Sequence, residues 1–363
     1  MSGGGTGGHV YPALSVLDAL RELVGEENIQ ILYVGHRRGV EATLVPRRGV
    51  PLRTIPGGQV RGQSPWTLTR NLVLEARGYV QARRIVREFQ PHVGFITGGW
   101  VTVPVAVALR RAGVPFVIYL PDVSPGLAIR TLQRLAQSVT VTVEEAATYF
   151  PGKAVVTGYP VRKAVLEARR DQAREQLGLP QEDRVVLVFG GSRGARSINR
   201  AVVAHAQALL SLAHVVHMTG SLDYGWVSAA ARELPSDLRA RYHVYEYLHE
   251  EMPLALAAAD VVVSRAGASV LGEFPARGLP AVLVPYPHAG RHQERNARYL
   301  VDRGAAVLVD DEHLGRDLVP TLRGLLEDEV RRRRMADAAR SAFRANGARN
   351  IACELLRWGG HPC

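Results

Sequence analysis

Four clusters of residues in this 363-residue chain have the types and spacing of ligand-binding loops. The first is Gly3-Gly4-Gly5-Thr6-Gly7-Gly8-His9, followed at once by Pro12 and the apolar series Leu14, Leu17, Leu20 and Leu23. A glycine loop that opens a helix lets a ligand approach the backbone and turns unpaired amides toward it. The same cluster also suits a tight strand-to-helix turn. Its spacing is not the dinucleotide fingerprint, and the Lys-Ser/Thr pair of a P-loop is missing. His9 is the best proton acceptor on offer, since imidazole titrates near neutrality, although packing or capping is the plainer use of a lone histidine. Asp122, in the turn Pro121–Gly126 after a strand, is the second candidate base.

The second cluster, Gly190-Gly191-Ser192-Arg193-Gly194-Ala195, repeats the pattern some 185 residues later. Outward amides, the Ser192 hydroxyl and a helix N-terminus make a diphosphate its natural occupant, a structural turn being the alternative. Arg162 would add a second phosphate clamp. The third, Ser264 to Glu273, again runs from a strand end into a helix. Its Glu273 has two acceptor oxygens with which to hold a vicinal diol such as a ribose, or simply favours the helix dipole. In the fourth, Pro287 to Asn296, the amides of Gln293 and Asn296 lie three apart on one helix face and can read sugar hydroxyls; a solvated arginine-rich turn looks similar. Gly98-Gly99 closes a strand at the end where open α/β sheets bind ligands. No Asp-x-Asp triplet occurs, so the sequence calls for no metal and no cofactor, the clamp being amides plus arginine.

Positioning these loops requires strands that end at them. Strands are expected at residues 29–34, 93–97, 115–120, 139–143 and 154–157, then at 184–189, 215–218, 242–245, 261–264, 281–285 and 305–309. Helices alternate with them, among them one from about Leu68 to Phe89, a charged one through Leu177 and a helical tail from Leu314. Two strand, glycine loop, helix openings imply two Rossmann-like α/β domains facing each other across a cleft. Only Met1 and Ser2 stand ahead of the first loop, where a buried strand belongs, which suggests a truncated start or an unusually short first strand.

The length exceeds what a single core usually serves, and 47% apolar residues with few aromatics suit an α/β protein. Cys353 and Cys363 form no framework or metal set, consistent with a reducing compartment. No apolar stretch is long enough to span a bilayer, and nothing reads as a signal peptide. The net charge is +11, with 17 basic against 10 acidic residues before position 161 and 28 against 24 after it, so the first half suits an anionic surface or a phosphate-bearing ligand. In the helix to Phe89, Leu68, Leu72, Ala76, Tyr79 and Ala82 form an apolar face beside Arg70, Arg77, Arg83, Arg84 and Arg87. With Trp66 and Leu74 this is either a patch that lies on an anionic bilayer or the face that covers a sheet. The arginines are scattered without an aromatic platform, which excludes nucleic acid as a partner.

Gly4-Gly5-Thr6-Gly7-Gly8-His9 with Pro12-Ala13-Leu14, Gly190-Gly191-Ser192-Arg193-Gly194-Ala195, Gly267 to Glu273 and Gln293-x-x-Asn296-Ala297 together resemble the bacterial peptidoglycan glycosyltransferases of family 28, the MurG family. The resemblance covers nearly the whole chain in order. It implies a GT-B fold with an acceptor- and membrane-associated domain over 1–160, a UDP-sugar-binding domain over 161–340, and a C-terminal helix over 341–363 that packs back on the first. It implies inverting transfer of N-acetylglucosamine from UDP-GlcNAc to undecaprenyl-diphosphate-linked muramoyl pentapeptide, lipid I, giving lipid II, by a peripheral protein on the cytoplasmic side of the cell membrane. Thr6, Gly7 and Gly8 would lie near the donor diphosphate and sugar, and Arg162 and Ser192 on the phosphates. Leu248 would contact uracil through its backbone, Ala268, Ser269, Val270, Leu271 and Gly272 would form the nucleotide loop, Glu273 would hold the ribose and Gln293 the hexose. His9 would aid deprotonation.

The chain departs from the family pattern at Tyr119-Leu120-Pro121-Asp122, where His-Glu-Gln-Asn is usual, at Tyr159 in place of an asparagine, and at Arg193 in place of a frequent glutamine. Asp122 can accept a proton where asparagine cannot, so the base is shared or moved. These changes touch the acceptor side and leave open another UDP-hexose or lipid acceptor, a UDP-sugar epimerase, or a UDP-sugar sensor that binds without transfer.

Overall fold

Short apolar strands alternating with amphipathic helices build two α/β units, in a computed structural model that describes residues 1–58, 65–191, 194–287 and 292–363, without the side chains of 65–68. One unit is Met1–Arg162 with Arg344–Cys363; the other is Lys163–Phe343.

The first unit carries six parallel strands: Tyr33–Gly35 (β1), Leu52–Thr54 (β2), Gly94–Ile96 (β3), Phe116–Leu120 (β4), Ser138–Val141 (β5) and Ala154–Val156 (β6). β3 to β6 are neighbours in sequence order, and β1 pairs with β2. One residue joins the two groups: Ser2 bridges Val34 on one side and Ile96 on the other. Its amide donates to the Phe95 carbonyl (2.7 Å) and its carbonyl accepts from Thr97 (3.0 Å). Ser2 therefore occupies the place of a first strand, and the strand order turns there from the β1 side to the β3 side. Such a switch point opens a crevice at the carboxyl ends of the strands. Residues 29–32, expected as strand, instead flank a cavity of about 830 Å³ lined by Leu20, Ile31, Phe89, Phe95 and Leu355. The Met1 ammonium donates to the Leu32 carbonyl (2.8 Å) beside this cavity, and burial pushes its pKa down to about 5.

The helix Pro65–Phe89 packs on the helix Thr102–Arg111. It buries Asn71, Gly78, Ala82 and Val86, and Gly78 admits the Pro56 carbonyl where a Cβ would collide with it. Its apolar face is thus not the expected one: Ala82 is inside, whereas Leu72 and Ala76 look outward. The last helix, Gly347–Gly359, buries Ile351, Ala352, Leu355 and Leu356 and packs on the helix Gly7–Val24 of the same unit. Cys353 and Cys363, which the sequence reading leaves outside any framework, are paired in a disulfide.

The second unit is a six-stranded parallel sheet of Val185–Phe189 (β7), His214–Met218 (β8), Tyr242–Tyr245 (β9), Val261–Ser264 (β10), Ala281–Leu283 (β11) and Ala306–Leu308 (β12), in the order β12-β11-β10-β7-β8-β9. Its switch point falls between β7 and β10. Continuous burial along β7 and β10 explains their Val/Leu runs, since helices cover both faces. The charged helix expected through Leu177 is Arg170–Gln176, and a short helix Lys163–Glu167 precedes it. Arg174 breaks the solvated pattern: it is fully buried, with its guanidinium on the Ala258, Pro180 and Asp183 carbonyls and on Asp260 (3.0 Å). Among the described residues no helix is long and apolar enough to cross a membrane.

Candidate active site

At the first unit's switch point the glycine loop and the end of β3 interlock. The Gly4 amide donates to the Gly98 carbonyl (3.1 Å), and the Thr97 hydroxyl donates to the His9 carbonyl (2.8 Å). Gly98 (φ +114°) and Gly99 (φ +91°) sit where side chains are strained and where there is no room for them. A Cβ on Gly98 would lie 2.7 Å from His9 Cε1, and one on Gly99 would lie 2.6 Å from the Gly4 carbonyl oxygen. Two glycines are therefore what lets His9 lie against the strand end.

The loop is held from beneath by Glu41, which is fully buried. Its carboxylate accepts from the Gly5 amide (3.1 Å) and the His36 amide (2.9 Å). Gly4, Gly35 and Gly39 crowd it so closely that a Cβ on any of them would strike the carboxylate side chain. With Gly4 and Gly5 so committed, the amides of Thr6, Gly7 and Gly8 have no backbone acceptor among the described residues and open the helix Gly7–Val24. Thr6 is exposed, and Arg162 lies over the Tyr11 ring on that helix, 4.8 Å from its centroid.

His9 is half-buried, and among the described residues its Nδ1 is buried without a hydrogen-bond partner. Burial pulls its pKa below the usual histidine value, and the charge of Asp122, the Thr97 backbone and the charge of Glu41 push back. The imidazole is thus held neutral near pH 7 with a lone pair available, and an acid close by steadies the protonated form. The two family departures in this region meet each other: Tyr119 and Tyr159 are buried edge to face, 6.4 Å between centroids, with the Tyr119 hydroxyl on Thr142 (2.8 Å).

In the second unit the loop after β7 is equally tight. Gly194 (φ +77°) admits the Thr219 carbonyl where a Cβ would overlap it, and its amide closes a turn onto Gly191 (2.9 Å). Behind it runs a buried polar chain. Asn199 donates to the Thr219 carbonyl (2.9 Å) and to Asp223 (2.9 Å), accepts at His217 Nε2 (3.0 Å), and His217 Nδ1 meets the Tyr242 hydroxyl (2.8 Å). Burial drives the His217 pKa down to about 3, so this imidazole is a neutral strut. Arg196 and Trp226 tie off Asp223 (2.9 and 3.0 Å). Beside β10, Arg265 bridges Ser197 Oγ (2.7 Å) and Asp311 and lies over the Tyr286 ring (5.3 Å).

Of the sequence-predicted donor residues, Leu248, Ala268 to Glu273 and Gln293 follow β9, β10 and β11 at this same sheet end, whereas Thr6, Gly7, Gly8 and Arg162 belong to the first unit. Ala268–Leu271 form a single 3₁₀ turn after β10, Gly272 follows it, and Glu273, buried, begins the next helix. Gln293 accepts from the Tyr286 amide (2.9 Å), and Asn296 is buried with its amide on the Ala266 carbonyl (3.1 Å), so it positions the loop after β10. Leu248 is buried after β9 with its amide on Met218 Sδ (3.3 Å). Ser192 and Arg193 lie outside the described residues, as does the stretch from His288 to Arg291. Sequence reasoning missed Glu41, Asn199, His217 and the Ser197–Arg265–Asp311 group. Only Glu41, an acid opening a short helix between glycines, left a trace.

Residues 1–141 match the glycosyltransferase family 28 N-terminal domain and residues 185–352 the glycosyltransferase family 28 C-terminal domain. The UDP-N-acetylglucosamine--N-acetylmuramyl-(pentapeptide) pyrophosphoryl-undecaprenol N-acetylglucosamine transferase of Roseiflexus sp. (strain RS-1) is 42% identical over 96% of this chain and 92% of its own. The protein of that name from Moorella thermoacetica is 42% identical over 98% of both. The crystal structure of Acinetobacter baumannii MurG superposes with a TM-score of 0.74 at 25% identity over 98% of both chains. A UDP-GlcNAc 2-epimerase from Neisseria meningitidis bound to UDP-GlcNAc shares the fold, with a TM-score of 0.68 at 14% identity over 97% of this chain and 98% of that one.

Proposed function

The chain belongs to glycosyltransferase family 28, and from that premise we propose that it transfers N-acetylglucosamine from UDP-GlcNAc to the muramoyl 4-hydroxyl of lipid I, giving lipid II. The observation that carries this reading is the pair of glycine-loop switch points, one beside His9 and one beside the buried Glu273, in a chain 42% identical over nearly its full length to transferases of that name.

The labour divides between the units. In the second, the amides of the Gly190–Gly194 loop receive the diphosphate, Glu273 the ribose and Gln293 the hexose. In the first, His9 takes the proton from the acceptor hydroxyl as its oxygen bonds to the anomeric carbon. The C–O bond to UDP breaks on the opposite face with its electron pair leaving on the phosphate, which inverts the anomeric centre. Asp122 steadies the imidazolium that forms. The Thr6, Gly7 and Gly8 amides and Arg162 address the donor's phosphates and sugar. Preorganised amides are the strongest stabilisers of such developing charge, each worth about 3 kcal/mol, roughly two orders in rate.

The acceptor is bound to a membrane, and the exposed face of the helix Pro65–Phe89 supports peripheral attachment on the cytoplasmic side. Leu72, Val73 and Val80 are 52%, 54% and 67% exposed, among the exposed Arg70, Arg77 and Arg84. Apolar side chains ringed by arginine fit an anionic bilayer surface. Mass spectrometry after incubation with UDP-GlcNAc and a short-chain lipid I analogue tests the reaction. One added N-acetylhexosamine per acceptor is expected. Epimerised sugar released without acceptor, or UDP-sugar binding without turnover, would replace this reading.

A further inference from the structure

At the amino ends of β7, β10 and β11, opposite the end that carries the glycine loop, the second unit has a pocket of about 340 Å³. Arg184 leads into β7, Ala259 and Asp260 into β10, and Leu279 and Pro280 into β11. Six arginines line it, Arg170, Arg184, Arg277, Arg332, Arg333 and Arg340, against two carboxylates, Asp260 and Glu329. Both carboxylates are already engaged. Asp260 holds Arg170 (2.8 Å) and the buried Arg174 (3.0 Å), and Glu329 holds Arg333 (2.5 Å) and, more loosely, Arg184 (3.8 Å). The pocket keeps a surplus of fixed positive charge in a concave site, where field lines converge.

Several of these groups are built in. Arg332 is buried, its guanidinium on the Leu325 carbonyl (2.7 Å) and the Leu326 carbonyl at the end of the helix Leu314–Glu327. Arg277 donates to the Val165 carbonyl (3.3 Å), while its Nε is buried with no acceptor among the described residues. Gly278, at φ +56°, lets Arg340 close over the chain; a Cβ there would stand 2.6 Å from Arg340 Nε. The arginines also work against one another. Burial lowers the pKa of Arg277 and Arg332, and the neighbouring charges of Arg340 and Arg184 lower them further. A multivalent anion relieves that repulsion and supplies acceptors for planar, fork-shaped donors.

We propose that this pocket is a second anion site, separate from the nucleotide site, that binds a phosphate group carrying two or more negative charges. That group could come from free diphosphate or from a phospholipid headgroup. The test uses the full chain with UDP held at saturation, so that the nucleotide site is occupied. Pyrophosphate is then titrated by calorimetry into the parent and into Arg184→Ser/Arg340→Ser. Both side chains are well exposed and carry only surface ion pairs, to Glu329 and Asp337, so the fold survives their loss. The double variant is expected to bind pyrophosphate at least tenfold more weakly, with unchanged UDP affinity in a separate titration. Equal pyrophosphate affinity in both proteins, or no binding beyond UDP in the parent, overturns the proposal. Sedimentation with phosphatidic acid and phosphatidylcholine vesicles, the former carrying a phosphomonoester headgroup, separates the sources. If the double variant also loses its preference for phosphatidic acid, the headgroup is the ligand. If that preference stays while pyrophosphate binding falls, the ligand is the free anion.

Discussion

Replacing Gly98 by alanine should uncouple catalysis from donor binding. The added Cβ would stand 2.7 Å from His9 Cε1, where carbon atoms in contact settle at about 3.5 Å, so the imidazole must retreat by roughly 0.8 Å. A misplacement of that size can cost about 100-fold in rate. The backbone adds its own strain, because φ is +114° at this position and a side chain there costs about 1–3 kcal/mol. The expected result is a roughly 100-fold fall in kcat, a lowered midpoint of thermal unfolding, and an unchanged Kd for UDP, since Gly98 crowds His9 in the first unit while the proposed uracil and ribose contacts, Leu248 and Glu273, belong to the second. Turnover is measured by UDP release with a lipid I analogue well below the unfolding midpoint, and UDP binding by calorimetry. A folded variant that keeps kcat within threefold of the parent, or loses UDP affinity in step with kcat, would refute the placement of His9.

Further outcomes follow from the same geometry. His9→Ala should lose about two to four orders in kcat while binding UDP normally. Because the His9 pKa is lowered by burial, the acid limb of the kcat/KM profile should lie below the usual histidine value of about 6.5, with activity present above it and lost as pH falls through it. Asp122→Asn removes a charge that raises that pKa, so the limb should move further down; a flat, inactive profile would make Asp122 the base instead. The Met1 amine, at about 5 folded against 8.0 unfolded, binds its proton more tightly in the unfolded chain. Stability should therefore rise between pH 5 and 8, by up to ~4 kcal/mol from this group alone. Urea melts at the two pH values will register that slope. Leu72→Ser/Val80→Ser should lower sedimentation with anionic vesicles without changing the unfolding midpoint, because both side chains are exposed; retained binding would move the membrane contact elsewhere.

The repeated strand, glycine loop and helix at Gly3 and Gly190 made the two α/β folds readable from the chain alone, because hydrophobic period and glycine content are local signals. Strand order is not local. The placing of β7 between β8 and β10, and of Ser2 between β1 and β3, depends on pairings that no window of residues contains. β2 went unnoticed because its three residues are half-buried or exposed and carry no apolar run. Which face the helix Pro65–Phe89 buries was not legible, since its packing is set by Gly78 against the Pro56 carbonyl rather than by its largest apolar residues. The struts of the site were hidden for a related reason. Asn199 and His217 look like ordinary polar residues of a helix and a strand until folding brings the Thr219 carbonyl and Asp223 beside them, and Arg265 meets an acid 46 residues away. Glycines advertise a binding loop, whereas the polar groups that hold it rigid become visible only in three dimensions.

The most direct measurement is a crystal structure with UDP bound. Its diphosphate is expected against the Gly190–Gly194 amides and its ribose on Glu273, at the carboxyl ends of β7 and β10. Density for the nucleotide away from both, including in the arginine pocket at the amino ends of the same strands, would contradict the division of labour on which the proposed reaction depends.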